Sequence, residues 1–270
     1  MRPTDHAYVP REALAVLTAR TLENSHRCLL ELLEPGMTVL DVGCGPGTLT
    51  MGIARRVDPG SVVGMDLNPE MIAAAEQASP PGQIPNLVFY KGDVRQSGWQ
   101  AEFDLVNAAR VLQWIPDAET ALGAMARAVR AGGQVVVLDY DHTRAEWSRP
   151  PGAWTRFYRA FLEWREAGGL DNTIIGRVPG MCTAAGLVDI RVTPLVETVR
   201  SGDADFLRVA GAWRLVADSR GRQMVAAGHL DEDERLAAVQ AFTAWMQTED
   251  AAQTTHEACV VARRPPESRR

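Results

Sequence analysis

Short apolar segments alternate with helical patterns over residues 37–140 of this chain. In the helical stretches, apolar residues recur every three or four positions, as they do on the buried face of a helix. The alternation predicts an α/β domain with a parallel sheet and helices on both faces. The predicted strands are 39–42, 61–66, 87–90, 103–107 and 134–140, and the predicted helices are 11–33, 68–78, 117–130 and one that begins at Thr48.

The alternation changes after Tyr140. An aromatic and apolar stripe at i, i+3, i+4, i+7 and i+8 then predicts an amphipathic helix with this stripe in the core. Its residues are Trp154, Phe157, Tyr158, Phe161 and Leu162. The pattern further predicts a helix over 178–185, a strand over 188–199, two helices within 202–250 and a final strand over 257–262. The second helix of 202–250 begins at Asp231, because Glu234 completes a capping box.

Three glycines at alternate positions follow the first predicted strand, in the sequence VLDVGCGPG. Gly43, Gly45 and Gly47 allow a sharp turn with positive φ and let a ligand lie against bare main chain. The first N–H groups of the helix from Thr48 would point at that ligand. A turn without a ligand rarely needs three spaced glycines, so the segment predicts a site for a small anionic or zwitterionic molecule. Nucleotide and dinucleotide binders fit the glycines alone equally well.

Acidic residues end the next two predicted strands. Asp66 lies about 20 residues beyond the glycine loop, where a carboxylate can accept hydrogen bonds from both hydroxyls of a ribose. Asp93 follows the third strand and is expected at the same edge of the sheet. The combination favours a ligand that contains a nucleoside.

Together these segments resemble the class I, Rossmann-like methyltransferases that use S-adenosylmethionine. The sequences VLDVGCGPG, GMDLNPEMI, KGDV, FDLVNAARVLQWIPD and RAGGQVVVLDY stand in the order and spacing of that family, over roughly residues 37–140. A GxGxG loop, instead of GxGxxG, also favours this family over nicotinamide dehydrogenases. The chain is most similar in character to the ubiquinone and menaquinone methyltransferase-like branch, which does not by itself name a substrate.

The resemblance implies a doubly wound, mostly parallel seven-stranded sheet with helices on both faces and an antiparallel last strand. The family usually joins its last two strands by a short hairpin, so residues 201–250 are interpreted as an inserted helical cap on the substrate side. The implied domains are an N-terminal helical lid over 1–36, a Rossmann-like domain over 37–200 and 251–264, the cap, and a tail over 265–270.

The resemblance also implies which residues hold the cofactor. The glycine loop would hold the methionine part, Asp66 the ribose, and Asp93 with Val94 the adenine. The full set of candidates is Arg20, Gly43, Cys44, Gly45, Gly47, Asp66, Leu67, Met71, Asp93, Val94, Ala109, Arg110 and Gln113. Ordinary core contacts would explain Leu67 and Met71 equally well.

Two arginines in this set have simpler explanations. Arg20 could pair with the methionine carboxylate from the N-terminal helix, or it could be a surface arginine beside Glu23. Arg110 lies in the loop after the fourth strand, which in the family borders the methionine tail. A solvent-facing helix position is the alternative for Arg110.

His142 is the candidate catalytic base. It follows the fifth strand at the edge where ligands of α/β proteins bind, and histidine titrates near neutral pH. Most histidines are bystanders, and no residue near His142 has the spacing of a partner, so positioning of the two substrates is expected to dominate. Asp139, Asp141 and His142 do not form a convincing metal site, because consecutive strand residues point to opposite faces.

Composition narrows the function classes. A chain of 270 residues with 46% apolar content can bury one large core and a modest subdomain. A net charge of -6 without a long Lys/Arg run argues against a nucleic-acid partner. The sequence shows neither a membrane span nor a signal peptide, so a cytoplasmic location is expected. The four cysteines lie far apart without a CxxC pair, so neither a zinc site nor a disulfide is expected.

Methyl transfer to a small molecule, expected to be apolar or aromatic, is therefore the leading hypothesis. A second hypothesis keeps the cofactor but uses it for cyclisation or rearrangement without methyl transfer. A third is a regulatory module that binds the cofactor without catalysis, which the intact motifs and the cap disfavour. A homodimer is an open option.

Overall fold

The structure, a computed structural model, describes residues 14–266. Its helices are α1 (Leu14–Thr18), α2 (Leu22–Ser25), α3 (Arg27–Leu30), α4 (Thr48–Val57), α5 (Pro69–Ala78), α6 (Ala118–Ala128), α7 (Gly152–Ala167), α8 (Ile174–Ala184), α9 (Phe206–Ala226) and α10 (Glu232–Trp245). Its strands are β1 (Thr38–Val42), β2 (Ser61–Asp66), β3 (Leu87–Lys91), β4 (Phe103–Ala109), β5 (Val129–Tyr140), β6 (Glu146–Trp147), β7 (Val188–Arg200) and β8 (Ala252–Arg263).

The strands form one mostly parallel sheet in the order β3-β2-β1-β4-β5-β8, with β7 paired to β8. Strands β1 to β5 pair in parallel. Strand β8 runs antiparallel to β5. The backbone N–H of Gly132 donates to Arg264 O at one end, and that of Asp141 donates to His256 O at the other. The predicted fold class is therefore confirmed. The two-residue strand β6 pairs antiparallel with β8 and adds a strand that the sequence analysis did not predict.

The chain divides into two compact units. The described part of unit 1 comprises residues 14–16, 140–173 and 195–257, and that of unit 2 comprises 17–139, 174–194 and 258–266. Unit 1 groups α7 with α9 and α10, whereas the domain prediction restricts the inserted cap to 201–250. Unit 2 contains β1 to β4, nearly all of β5, the last two residues of α1, and the short helices α2 and α3.

The core of unit 2 lies against the central strands. Residues of β1 and β4 are almost completely buried, including Leu40 and Val106, and α6 covers them with Leu122 and Met125. Burial on both faces explains why these strands are nearly continuous apolar runs, as in other parallel sheets.

The predicted helix over 11–33 is wrong as a single element, and its first three residues lie outside the described range. Three short helices replace it from Leu14 onward. Thr21 and Asn24 form a capping box that starts α2, and His26, with φ -150° and ψ 56°, separates α2 from α3. Polar side chains that bond the local backbone compete with helix continuation. The prediction for 117–130 was also too long, because α6 ends at Ala128.

Aromatic rings fill the core of unit 1. The predicted stripe of α7 is confirmed for its aromatic residues, with Trp154, Phe157 and Phe161 at most 2% exposed, whereas Leu162 is only partly buried. The ring of Trp154 lies 3.9 Å from that of Phe242 on α10, and Trp213 on α9 meets Trp154 edge to face at 6.5 Å. The capping box of Asp231 and Glu234 at the start of α10 is confirmed as well.

Phe89 on β3 explains two glycines of unit 2. A Cβ built on Gly47 would lie 2.5 Å from Phe89 Cζ, and one on Gly64 would lie 2.8 Å from Phe89 Cδ1. Gly47 also has φ +79°, a conformation that side chains disfavour. Glycine at 47 is thus required by both crowding and backbone geometry.

We expect Gly47→Ala to lower the free energy of unfolding by roughly 2–4 kcal/mol. Overpacking against Phe89 adds to the strain of a left-handed backbone conformation. Gly82→Ala is the matched control, since Gly82 has φ +87° with no atom within 4 Å of a built Cβ. The control should lose only about 1 kcal/mol. Urea unfolding of both variants measures the difference, and equal losses would contradict the crowding by Phe89.

Candidate cofactor-binding site

The glycine loop joins β1 to α4 through three residues with positive φ: 67° at Gly43, 53° at Gly45 and 79° at Gly47. A Cβ on Gly43 would lie 2.4 Å from Val111 Cγ2, so Gly43, like Gly47, is crowded by protein. Gly45 differs, because the nearest atom to its built Cβ is Leu17 Cδ1 at 3.8 Å. The bare main chain at Gly45 therefore fits close approach of a ligand.

Asp66 supports this loop directly. Its Oδ2 accepts a hydrogen bond from Gly45 N at 2.9 Å, and its Oδ1 accepts one from Asn68 N at 2.8 Å. Burial raises the pKa of Asp66 despite these donors. Each carboxylate oxygen has a second lone pair, so the group can also accept from the hydroxyls of a ribose. The predicted residues Gly45 and Asp66 are thus brought together.

A chain of four buried side chains lies beneath the loop, and we call it the polar chain. Asp41 accepts from Thr50 Oγ1 at 2.6 Å and from Asn107 Nδ2 at 2.7 Å, and Asn107 Oδ1 lies 3.0 Å from His26 Nε2. All four residues are at most 3% exposed. Because Asn107 donates to Asp41, its oxygen faces His26, which must therefore carry the proton on Nε2.

Burial shifts both ionisable members of the polar chain toward their neutral forms. It raises the pKa of Asp41 to about 6, against the effect of the hydrogen bonds from Thr50 and Asn107. It lowers the pKa of His26 to about 3, and the positive charge of Arg110 acts in the same direction. Thr50, Asn107 and His26 were not predicted as site residues. Their partners lie 9, 66 and 81 positions away, so only Thr50, one helix turn beyond the loop, gave a local signal.

Asp93 and Val94 occupy the turn after β3. Arg95 binds the Asp93 carboxylate through Nε and Nη2, at 2.9 and 2.6 Å. Burial raises the pKa of Asp93, but the hydrogen bonds and charge of Arg95 outweigh it and bring the pKa below its ordinary value. The Val94 side chain lies in the core at 4% exposure, so only its backbone is offered to a ligand.

The loop after β4 carries three more predicted residues. Ala109 ends the strand, and Arg110 follows with φ +61°. Arg110 therefore does not occupy a solvent-facing helix position; its Nη2 donates to Ser25 O at 3.3 Å. Gln113 is buried, and its backbone N donates to Asp139 Oδ2 at 3.1 Å. Through the bond from Arg110 to Ser25, this loop contacts the short N-terminal helices.

The remaining cofactor candidates differ in exposure. Arg20 is partly exposed between α1 and α2, and Leu67 is partly exposed after β2. Met71 on α5 is fully buried, as core residues are. Cys44 is buried and donates its backbone N–H to Met65 O at 2.9 Å, and burial raises the pKa of its thiol. All four cysteines are free thiols.

His142 lies in unit 1, inside the aromatic core. Its ring stacks on Tyr140 at 5.1 Å and meets Phe161 and Trp213 edge to face. Its backbone carbonyl accepts from the Tyr158 hydroxyl at 2.7 Å. Burial, with the positive charge of Arg165, holds the pKa of His142 well below its usual range. The imidazole is therefore neutral at physiological pH and a weak base.

Over residues 14–266, no three or more His, Cys, Asp or Glu side chains are grouped so that they could hold a metal ion. In the same part of the chain, every helix is too short or too polar to cross a membrane.

Comparison with known proteins agrees with this geometry. A family model described as a methyltransferase domain matches residues 33–163. The trans-aconitate 2-methyltransferase of Methylobacterium radiotolerans is 30% identical over 184 residues, which cover 68% of this chain and 67% of that protein. The protein of the same name from Azoarcus sp. strain BH72 is 35% identical over 126 residues, which cover 45% and 48%.

A solved structure shows the same fold. Phosphoethanolamine N-methyltransferase 2 of Haemonchus contortus, in complex with phosphomonomethylethanolamine and S-adenosylhomocysteine, superposes with a TM-score of 0.56 at 15% identity. The match covers 88% of this chain and 52% of that chain.

The sheet order, the glycine loop and these matches define the class. The chain belongs to the class I S-adenosylmethionine-dependent methyltransferases, and S-adenosylmethionine is its cofactor. Within that family it is similar to proteins named trans-aconitate 2-methyltransferase, although it spans about half the length of the Azoarcus relative.

We expect Asp41→Asn to change how stability depends on pH. An acid whose pKa rises on folding from 3.8 to about 6 stabilises the fold most at low pH and loses that contribution as the pH rises through this window. Asparagine does not titrate, and the Thr50 hydroxyl can accept from its amide. Between pH 4 and 7, the free energy of unfolding of the parent should fall by about 2 kcal/mol relative to the variant.

Urea unfolding at several pH values measures this difference. Glu76→Gln, on an exposed position of α5, is the control and should give a curve parallel to the parent. A parallel curve for Asp41→Asn as well would show that Asp41 titrates as an ordinary carboxylate.

Proposed function

We propose that the protein transfers the methyl group of S-adenosylmethionine to a small-molecule acceptor. The observation that carries the proposal is the bare main chain at Gly45, fixed against the Asp66 carboxylate at the end of the neighbouring strand. The family membership supports the same activity.

The proposed roles follow the geometry of unit 2. Backbone groups of Gly43, Cys44, Gly45 and Gly47 hold the methionine part, where the N–H groups at the start of α4 favour its carboxylate. Asp66 accepts from the ribose hydroxyls. The adenine lies against Leu67 and is bound by Asp93 and the backbone of Val94, whereas Met71 is fully buried and packs in the core instead. Arg20, Ala109, Arg110 and Gln113 line the methionine tail.

The cofactor supplies an electrophilic methyl group on a positively charged sulfur. The residues of the protein have to align the acceptor with that group and exclude water, because the positive charge disappears during the displacement. The polar chain contributes by fixing both ends of the glycine loop, since Asp41 precedes the loop and Thr50 follows it. Rigid support of this kind keeps the donor in one position.

The acceptor is proposed to be a small apolar or aromatic molecule. The rings of α7, α9 and α10 give unit 1 a strongly apolar interior, which supports an apolar or aromatic acceptor. A carboxylate is the second candidate. The two curated relatives described above are named for trans-aconitate, a carboxylate, and unit 1 buries two guanidinium groups, Arg165 and Arg220.

Formation of S-adenosylhomocysteine tests the proposal. The protein is incubated with S-adenosylmethionine and a panel of phenols, apolar amines and small polycarboxylates. Mass spectrometry then measures the masses of the products. We expect an acceptor whose mass rises by one methyl group. A product rearranged without gain of methyl would support the cyclase alternative, and cofactor binding without any product would support the regulatory module.

We expect Asp66→Ala to weaken S-adenosylhomocysteine binding by roughly 1–3 kcal/mol, because two ribose hydroxyls lose a charged acceptor. Calorimetry measures the dissociation constant, with Glu76→Ala as the control on an exposed acid of the same unit. The parent should bind at micromolar strength and bind NAD far more weakly. An unchanged constant for Asp66→Ala would show that another residue binds the ribose.

We expect His142→Phe to keep the turnover number within about tenfold of the parent. Phenylalanine preserves the ring contacts with Phe161 and Trp213, and a buried neutral imidazole contributes little as a base. A loss of roughly 10²–10⁴-fold, together with disappearance of a pH limb in the rate, would instead identify His142 as a general base. Steady-state rates from pH 5 to 9 decide between the two.

Three expectations from the sequence stay predictions. They are a cytoplasmic location, the lack of a nucleic-acid partner and the option of a homodimer. The net charge of -6 supports the second. Exposed Val188, Val192 and Val196 lie along β7, which pairs only with β8 in the described part of the chain, and they offer an apolar edge strand for self-association.

A further inference from the structure

The N-terminal helices contact the cofactor loop and the helix that follows it. Leu17 Cδ1 lies 3.8 Å from a Cβ built on Gly45, the open glycine of the loop. Leu22 on α2 packs closely on α4, because a Cβ built on Gly52 would lie 3.1 Å from Leu22 Cβ. Residues 17–30, which we call the N-terminal cover, therefore lie on the side from which the bare main chain is reached.

Two polar contacts fasten the cover to the sheet. His26 Nε2 bonds Asn107 Oδ1 at 3.0 Å, and Arg110 Nη2 donates to Ser25 O at 3.3 Å. The first is fully buried and continues through Asn107 to Asp41, which holds the start of the glycine loop. The other ring nitrogen, Nδ1 of His26, is buried without a hydrogen-bond partner among the described residues.

We propose that His26 is a positioning residue that fastens the N-terminal cover over the cofactor, and that protonation of its buried Nδ1 releases the cover. The inference rests on the proposed cofactor site. It names a role for a side chain that touches neither the cofactor nor the acceptor and acts through Asn107 and Asp41.

The electrostatics oppose a second proton on His26 while the cover is closed. Arg110 faces the ring from the loop after β4, and a second positive charge would repel it. Asp41 on β1 is separated from the ring by the Asn107 amide, and the group contributed by α4, Thr50, does not titrate. In the cover itself, Glu23 and Arg27 lie at exposed positions, where solvent screens them.

The sign of the pH effect follows from this arrangement. His26 in an open cover is solvated and titrates near its reference pKa of ~6.5, whereas in the closed cover it stays neutral far below that. The equilibrium constant for closing the cover is therefore largest above about pH 6.5, and it falls by up to tenfold per pH unit below that. At pH 5.5 the opening equilibrium should be about tenfold larger than at pH 7.5.

Two variants separate the hydrogen bond from the proton. In His26→Gln, the amide Nε2 is as many bonds from Cβ as the imidazole Nε2 of histidine is. It can therefore donate to Asn107, but the amide does not titrate. In His26→Leu, the donor is lost and Asn107 Oδ1 is left buried without its partner. The readouts are hydrogen exchange of the amides in residues 21–30, corrected for intrinsic rates, and calorimetric binding of S-adenosylhomocysteine.

We expect the parent to show about tenfold faster corrected exchange at pH 5.5 than at pH 7.5. His26→Gln should show a clearly smaller change, because Asp41, with a pKa of about 6, is the member of the polar chain that still titrates there. At pH 7.5, His26→Gln should bind S-adenosylhomocysteine within about threefold of the parent, and His26→Leu roughly tenfold more weakly. The same acid response in His26→Gln as in the parent would overturn the proposal, as would unchanged exchange and binding in His26→Leu.

If His26→Leu does not fold, the comparison of the parent with His26→Gln decides alone. Failure here is also distinct from failure of the proposed function. A protein that binds S-adenosylhomocysteine with the expected acid response but methylates no acceptor would retain this inference and lose the proposed activity.

Discussion

The carboxylate of Asp41, buried at the end of a central strand, is the constraint on which the cofactor loop depends. Burying a carboxylate costs several kcal/mol unless donors surround it. The donors come from α4 and β4, and through Asn107 the network reaches His26 in the N-terminal segment. Satisfying one charge therefore fixes the strand before the glycine loop, the helix after it and the helices that contact it.

The three loop glycines have different physical causes. Gly43 and Gly47 are crowded by Val111 and Phe89, so their missing side chains make room for the protein itself. Gly45 is open, and its missing side chain leaves space that the proposed cofactor would use. A glycine motif read from sequence does not distinguish these causes, since all three residues share positive φ. Of the three, only Gly45 has open space where a side chain would stand, and the proposed cofactor site is therefore centred on it.

Much of the described fold could be predicted from sequence because its signals are local. Buried parallel strands are continuous apolar runs, and a capping box is visible within four residues, as at Asp231. The N-terminal segment was mispredicted because its leucines stand at helical spacing although they belong to three short helices. The helical conformation is interrupted at His26, whose side chain bonds Asn107, 81 positions away. Pairings at such separations leave no pattern in one sequence, so the polar chain was found only in the structure.

The placement of His142 bears on how the proposed reaction is catalysed. An imidazole enclosed by aromatic rings stays neutral but is too weakly basic to ionise a poorly acidic acceptor. Displacement at a sulfonium needs alignment more than proton transfer, since the leaving group departs neutral and without a proton. Exclusion of water is the second demand, because it favours loss of the positive charge on the donor. Acceptors that are already nucleophilic, such as amines or ionised carboxylates, therefore suit the proposed reaction better than alcohols that require a strong base.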